Sequence, residues 1–337
     1  MQFGKSTTLE GFTADDFALP PDHPQTGRIL RGSDPSGAVP VVRCGGTVWT
    51  VPAWKGTLYP ARGPQREWPH HYGTHFGTLE LNATHYRIYP PEKMAAWAAA
   101  MPDGFRFCPK FPQIITHFRR FRQCEGPTDD FIQGLLALGD RLGPSFIQLP
   151  PQFAPSHASA LLSYLAQWPR ELPLAIEFRH PEWFTGHPDA EVVWEAMEAY
   201  GVGSVLSDTA LRRDAVHMRL TAPFLLLRYG GGDGHPTDAS RIADWVQRWQ
   251  HWGDAGLQAV YFLVHQPDSL RTPETCRLLA DSWQQAVPQD SPVVAPKAFH
   301  LAPGPQHLAP SPHHQTPGPQ HQTQLPLDLF TESDRTA

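Results

Sequence analysis

Charged and polar side chains stand inside apolar runs of this 337-residue sequence, at spacings that place them on one face of an extended strand. In TLELNATHY, from Thr78, alternation sends Leu79 and Leu81 one way and Glu80, Asn82 and Thr84 the other. In LAIEFRH, from Leu174, it separates Ile176 and Phe178 from Glu177 and Arg179. Lys110, Gln148, Asp208, Arg228 and His265 extend the pattern toward the ends of five further runs. Unpaired charges in a dry interior are strongly destabilising, so these groups must pair, stay solvated or meet a ligand. A carboxylate among Glu80, Glu177 and Asp208 is a candidate general base, with Lys110, Arg179 and Arg228 placed to stabilise anionic charge. The competing reading is a buried ion-pair network, such as Glu177 with Arg179.

Other motifs admit two readings each. Gly230, Gly231, Gly232 and Gly234 follow the seventh run beside Arg228, and form either a phosphate cradle of backbone N–H groups or a flexible turn. Trp49, Trp54, Tyr59, Tyr86 and Trp183 follow run ends, where they either stack on a flat or sugar-like group or plug the mouth of the fold. His71 and His75 have the i, i+4 spacing of a helical ligand pair without the neighbouring glutamate of a zinc protease, and read as surface histidines. The spacing of Glu80, Glu177, His180 and Asp208 does not demand a metal, so none is assigned, and the cofactor is left open. Cys44, Cys108, Cys124 and Cys276 are far apart, form no CxxC pair and read as buried neutral thiols.

Eight short β-forming runs must position these groups, beginning at Val41, Thr78, Phe105, Ser145, Leu174, Gly203, Phe224 and Ala259. Most are separated by helix-period segments, which predicts an α/β fold of the TIM-type (β/α)8 barrel class, with chemistry at the C-terminal strand ends. One helix carries Ile242, Trp245, Val246 and Trp249 behind the capping candidates Thr237 and Asp238. The last carries Cys276, Leu279 and Trp283 behind Thr272 as cap and Pro273. Between the sixth and seventh runs LRRDAVHMRLT is short and polar, and predicts an irregular connection or a missing helix.

The expected organisation is an irregular arm over 1–38, a barrel over 39–287, a disordered Pro/His/Gln-rich linker over 288–323 and an apolar motif over 324–330. A net charge of −6 leaves no basic stripe for a nucleic-acid backbone. With no apolar run long enough to span a membrane and no signal-peptide pattern, the expectation is a cytoplasmic protein.

The runs ELNATHYR from Glu80, FCPKFPQIITH from Phe107, GDRLGPSFIQLPPQF from Gly139, AIEFRHPEW from Ala175 and SDTA from Ser207 together resemble the YecE-like family, also called domain of unknown function 72. The resemblance covers about Val42 to Gln285. It implies a TIM-type barrel with a polar pocket to which Glu80, Asn82, Thr84, Tyr86, Lys110, Gln148, Glu177, Arg179, His180 and Asp208 contribute, and it brings no established activity. The chain departs from the family pattern at CGGTVWTVPAW in the first run, at LRYGG, where Tyr229 replaces a histidine, and at His265 and Gln266, which replace paired asparagines.

The tail segment QLPLDLF resembles the short motif by which bacterial repair and replication proteins dock on the DNA polymerase sliding clamp, with Gln324, Leu327, Leu329 and Phe330 as anchors. The alternative is an apolar end that folds back onto the barrel or does nothing. Two functions follow. One is an enzyme of hydrolase or lyase type acting on an anionic, phosphorylated or nucleic-acid-derived substrate, in DNA maintenance if the clamp is its partner. The other is a non-catalytic binding or sensor module tethered by its tail.

Overall fold

The computed structural model describes residues 9–32 and 39–287. The linker over 288–323 and the QLPLDLF motif lie outside the described residues. Eight strands appear where the sequence places them: β1 (Val41–Gly45), β2 (Thr78–Leu81), β3 (Arg106–Pro109), β4 (Ser145–Gln148), β5 (Leu174–Glu177), β6 (Gly203–Asp208), β7 (Phe224–Gly230) and β8 (Ala259–His265). All pair in parallel, in a six-stranded sheet of order β1-β8-β7-β6-β5-β4 and a two-stranded sheet of β2 with β3. Further hydrogen bonds link the sheets at both seams. Gly77 N and Glu80 N donate to Cys44 O and Gly46 O (both 3.0 Å), while Gly143 N and Phe111 N donate to Phe107 O (2.8 Å) and Phe146 O (2.9 Å). A Cβ on Gly45 would fall 1.8 Å from Thr78 O, so the approach of β1 to β2 requires glycine there.

Side-chain alternation sorts the strand residues into two layers. Facing inward is an apolar cluster of Cys108, Phe146, Ala175, Val205, Leu226, Tyr261 and Leu263. Facing outward, Leu225, Leu227, Val260, Phe262 and Val264 pack on the helices, notably Trp245, Trp249 and Trp283. The helices are α1 (Pro24–Gly32), α2 (Trp68–His75), α3 (Ala83–Tyr86), α4 (Pro91–Ala99), α5 (Glu125–Leu136), α6 (Ala158–Gln167), α7 (Pro188–Tyr200), α8 (Thr237–Asp254) and α9 (Thr272–Ala286). The stripes expected on α8 and α9 are buried. Their caps are not the expected ones. Thr237, Asp238 and Thr272 lie inside the first turns, and Asp238 instead accepts from Tyr229 Oη (2.9 Å) and Gly232 N (3.1 Å).

No α-helix joins β6 to β7; a single 3-10 turn, Arg213–Ala215, stands there. The N-terminal segment covers the gap, which corrects the expectation of an irregular arm over 24–32. Thr26 Oγ1 donates to Met218 O (2.7 Å) and accepts from Leu220 N (2.9 Å), and Arg28 pairs with Glu198 of α7 (2.7 Å). Asp22 receives Trp252 Nε1 of α8 (3.0 Å) and pairs with Arg248. Phe17 is buried beneath the guanidiniums of Arg241 and Arg213, 4.3 and 5.4 Å from its ring centroid. The helical spacing of Thr26 and Leu30, both buried, is the trace of this element in the sequence.

Candidate ligand site at the strand ends

One pleat above the apolar inner cluster the interior becomes charged. Cys108 gives way to Lys110, Phe146 to Gln148, Ala175 to Glu177, Val205 to Ser207, Leu226 to Arg228 and Leu263 to His265. Arg228 sits between the two glutamates. Its Nε and Nη2 donate to Glu80 (3.0 and 3.1 Å) and its Nη1 to both oxygens of Glu177 (2.9 and 2.8 Å). Gln148 Nε2 and Ser207 Oγ also donate to Glu177 (2.6 and 2.9 Å), and His265 Nε2 lies 2.8 Å from Glu80. Burial is the largest influence and pushes both carboxyls up, but Arg228 together with His265 at Glu80, and with Arg179 and Gln148 at Glu177, overcomes it. Both therefore lie below the usual carboxylate range and are ionised at neutral pH. Burial also lowers His265, so its neutral ring donates Nε2–H to Glu80.

Lys110 enters this layer from the end of β3. Its main chain is held on both sides, Lys110 N donating to Leu81 O (3.2 Å) and Lys110 O lying 2.8 Å from Thr84 Oγ1. Among the described residues no carboxylate comes within ion-pair distance of its Nζ. Burial, joined by Arg228, lowers its ammonium to about 8 against the pull of Glu80 and Glu177. Two imidazoles adjoin it. His85 and His117 are in edge contact, centroids 5.1 Å apart, and burial together with Lys110 lowers each to about 4. His85 Nδ1 lies 2.7 Å from Phe111 O, and a carbonyl only accepts, so the proton is on Nδ1 and Nε2 is the basic nitrogen. Thr116 Oγ1 lies 3.3 Å from Pro112 O and 2.7 Å from His117 Nδ1. His117 belongs to a π-helical turn, Ile114–Phe118, whose continuation holds Arg120, Phe121 and Gln123 at φ of 48, 64 and 49°. Each such residue costs about 1 kcal/mol or more. Arg120 and Arg179 both act on His117, and Arg212, bound to Asp214 (2.7 and 2.6 Å), acts on Arg179.

Several expected site residues lie elsewhere. Ser207 points inward, so Asp208 points outward, fully buried, where it accepts from Trp245 Nε1 (2.8 Å) and pairs with Arg241 (3.1 Å) and Arg213. It is a tie between β6, α8 and the β6–β7 connection. Tyr229 and Gln266 also face outward: Tyr229 bonds Asp238, and Gln266 bonds Thr275 Oγ1 (2.6 Å) and Asp233 N (2.8 Å). The glycine run is not a phosphate cradle, because Gly231 N donates to His265 O (2.9 Å) and Gly232 N to Asp238, while Gly230 O receives Arg241 (3.0 Å). Trp183 is buried and bonded to Phe153 O (2.7 Å), and Trp49, Trp54 and Tyr59 are buried in a separate apolar cluster. His180 Nδ1 accepts from Glu182 N (3.3 Å) at the head of a 3-10 turn. Asn82 and Thr84 fall on the α3 turn beyond β2, with Asn82 half-buried, and Tyr86 is exposed (63%). Glu80, Glu177, His180 and Asp208 therefore do not converge.

Ser207, His85, His117, Arg120 and Arg212 were not expected. Ser207 was legible, since it shares a face with Val205. The histidines were not, because turns carry them and a strand alternation does not reach them. Among the described residues no helix is long and apolar enough to cross a membrane.

The family model described as "Protein of unknown function DUF72" matches residues 43–298. The UPF0759 protein YecE of Escherichia coli (strain K12) is 30% identical over 242 residues, covering 66% of this chain and 88% of that protein. The UPF0759 protein YunF of Bacillus subtilis (strain 168) is 28% identical over 174 residues, covering 49% of this chain and 61% of that protein. A crystal structure of a DUF72 family protein from Enterococcus faecalis superposes with a TM-score of 0.56 at 18% identity, over 72% of this chain and 95% of that one. That likeness is one of fold.

Proposed function

We propose, for a chain that belongs to the DUF72 family of proteins of unknown function, a (β/α)8-barrel enzyme that binds an anionic substrate at the C-terminal ends of its strands. The barrel is the simplest reading of eight parallel strands whose two sheets are hydrogen-bonded at both seams. One observation carries the anionic substrate. Among the described residues the layer sets three cations, Lys110, Arg179 and Arg228, against the two carboxylates of Glu80 and Glu177. An anion entering there completes the charge balance.

Within this reading Glu80 and Glu177 hold Arg228 in place, because a carboxylate well below its usual pKa is a weak base. The rings of His85 and His117, neutral at pH 7 and beside Lys110, are placed to share hydrogen bonds with the substrate. QLPLDLF is a proposed docking segment for the sliding clamp, and supplies the DNA-maintenance version of the reading. A second reading, a binding or sensor module, is favoured by the saturation of Glu80, Glu177 and Asp208, which leaves no carboxylate for base catalysis.

Turnover separates the two. A pool of sugar phosphates, nucleotides and abasic oligonucleotides is incubated with the full chain and with Arg179→Ala, then followed by mass spectrometry. The enzyme reading expects one class to be consumed by the wild type and spared by the variant. A compound that stabilises the protein and is recovered unchanged favours the binding module.

A further inference from the structure

We propose that Lys110 is a covalent nucleophile, whose Nζ condenses with the carbonyl carbon of an anionic aldehyde or ketone to form an imine. This deepens the enzyme reading given above, and rests on it for the anionic half of the substrate.

Lys110 projects into the charged layer from a main chain pinned to Leu81 at the end of β2, to Thr84 and to Phe146 of β4. Glu80 and Glu177, its natural partners, are turned to Arg228, so the half-buried amine stands beside negative charge without an ion pair to either. The groups facing it are Glu80 of β2, His85 of α3, His117 of the π turn, Glu177 of β5 and Arg179 just beyond it, Arg228 of β7 and, beyond Glu80, His265 of β8. A charge-stabilising lysine would be placed against a carboxylate or left in water. One that must attack carbon has to shed its proton near neutral pH, and desolvation beside Arg228 does that. With its ammonium at about 8, roughly a tenth of the amine is neutral at pH 7, some hundreds of times more than for an ordinary lysine.

The Nζ lone pair forms the C–N bond while the carbonyl π pair moves to oxygen. A proton passes from nitrogen to that oxygen through solvent, giving a carbinolamine. A second proton, from solvent, lets the hydroxyl leave as water while the nitrogen lone pair closes a protonated imine. Nothing is oxidised or reduced. Arg179 is the cation proposed to hold the phosphate or carboxylate of the same molecule.

The test traps the imine. The full chain has five lysines, Lys5, Lys55, Lys93, Lys110 and Lys297, so the modified site is read directly by peptide mapping. The protein is treated at pH 7 with pyridoxal 5′-phosphate and, in parallel, with the smaller glycolaldehyde phosphate, then reduced with sodium borohydride. Adducts are expected on Lys110 at least about 10-fold faster than on Lys55 or Lys93, with a rate half-maximal near pH 8, because of the lowered amine. Lys110→Arg, which keeps the charge, should melt as the wild type does and lose that adduct. Labelling of Lys55 and Lys93 with Lys110 untouched by both probes overturns the proposal. Unphosphorylated pyridoxal and added inorganic phosphate distinguish the two readings. If pyridoxal labels Lys110 as fast as its phosphate does, and phosphate gives no protection, the nucleophile stands and the anion site falls. If phosphate binds and Lys110 stays unlabelled, the anion site stands and the nucleophile falls.

Discussion

Arg228 Nη1 lies 2.9 and 2.8 Å from the two oxygens of Glu177, in a layer where both side chains are essentially out of contact with water. The same guanidinium holds Glu80 through its other nitrogens, so one cation sets the charge state of two strands on opposite sides of the interior. Arg228→Met leaves two carboxylates buried without their cation, a class of change that costs about 3–5 kcal/mol. Urea unfolding should show that loss as a lower midpoint at unchanged slope. A midpoint within error of the wild type would contradict the pairing.

The pH dependence has two parts. The histidines are lowered in the folded state, His85 and His117 to about 4 and His217 to about 3, from an ordinary 6.5. Between 6.5 and about 4 the unfolded chain binds protons that the folded one refuses, so stability falls as the pH is lowered through that window. Glu80 and Glu177 are lowered as well, so their contribution is complete above about 4.5 and is lost as the pH drops below it toward their folded values. His85→Gln/His117→Gln should flatten the upper part of the stability curve and leave the lower part. Denaturant midpoints from pH 7 to 4 check this, and an unchanged upper slope would refute the assignment.

The N-terminal segment takes the place of the missing helix between β6 and β7. Deleting residues 1–38 removes Phe17 and Leu30 from the apolar packing, each worth about 1.5–3 kcal/mol, and so should cost roughly 3–6 kcal/mol. Truncated and full chains compared by thermal and urea unfolding decide the point; equal stability would make the segment an ornament.

The tail reading predicts that the full chain binds a purified bacterial sliding clamp and that a chain ending at Val287 does not, with Phe330→Ala reducing affinity at least about tenfold, or 1.4 kcal/mol. Surface-immobilised clamp gives the measurement. Equal binding by all three chains would remove QLPLDLF from the account.

Much of this site follows from a period of two. Glu80, Lys110, Gln148, Glu177, Arg228 and His265 were placed on the inner face by alternation alone, because buried strands admit one register. The same rule failed at Asp208 through a slip of one residue: SVLSD has polar groups on both faces, and only the outward partners, Arg241 and Trp245, decide which is which. Gly230 and Gly231 suggested phosphate because composition does not show that Asp238 and His265 O already take the neighbouring N–H groups. Residues 24–32 carry a helix that proline and glycine counts concealed; its stability comes from Met218 and Leu220, nearly two hundred residues away. His85 and His117 were illegible for a different reason, since a short helical turn and a π turn have no sequence period to follow.

The central claim is that the strand-end layer binds an anion, and isothermal titration with inorganic phosphate tests it most directly. The wild type is expected to show one saturable site, Arg179→Ala at least about tenfold weaker binding (~1.4 kcal/mol), and Asp208→Asn a less stable protein of unchanged affinity. No saturable binding by the wild type, or equal affinity in Arg179→Ala, would contradict the account.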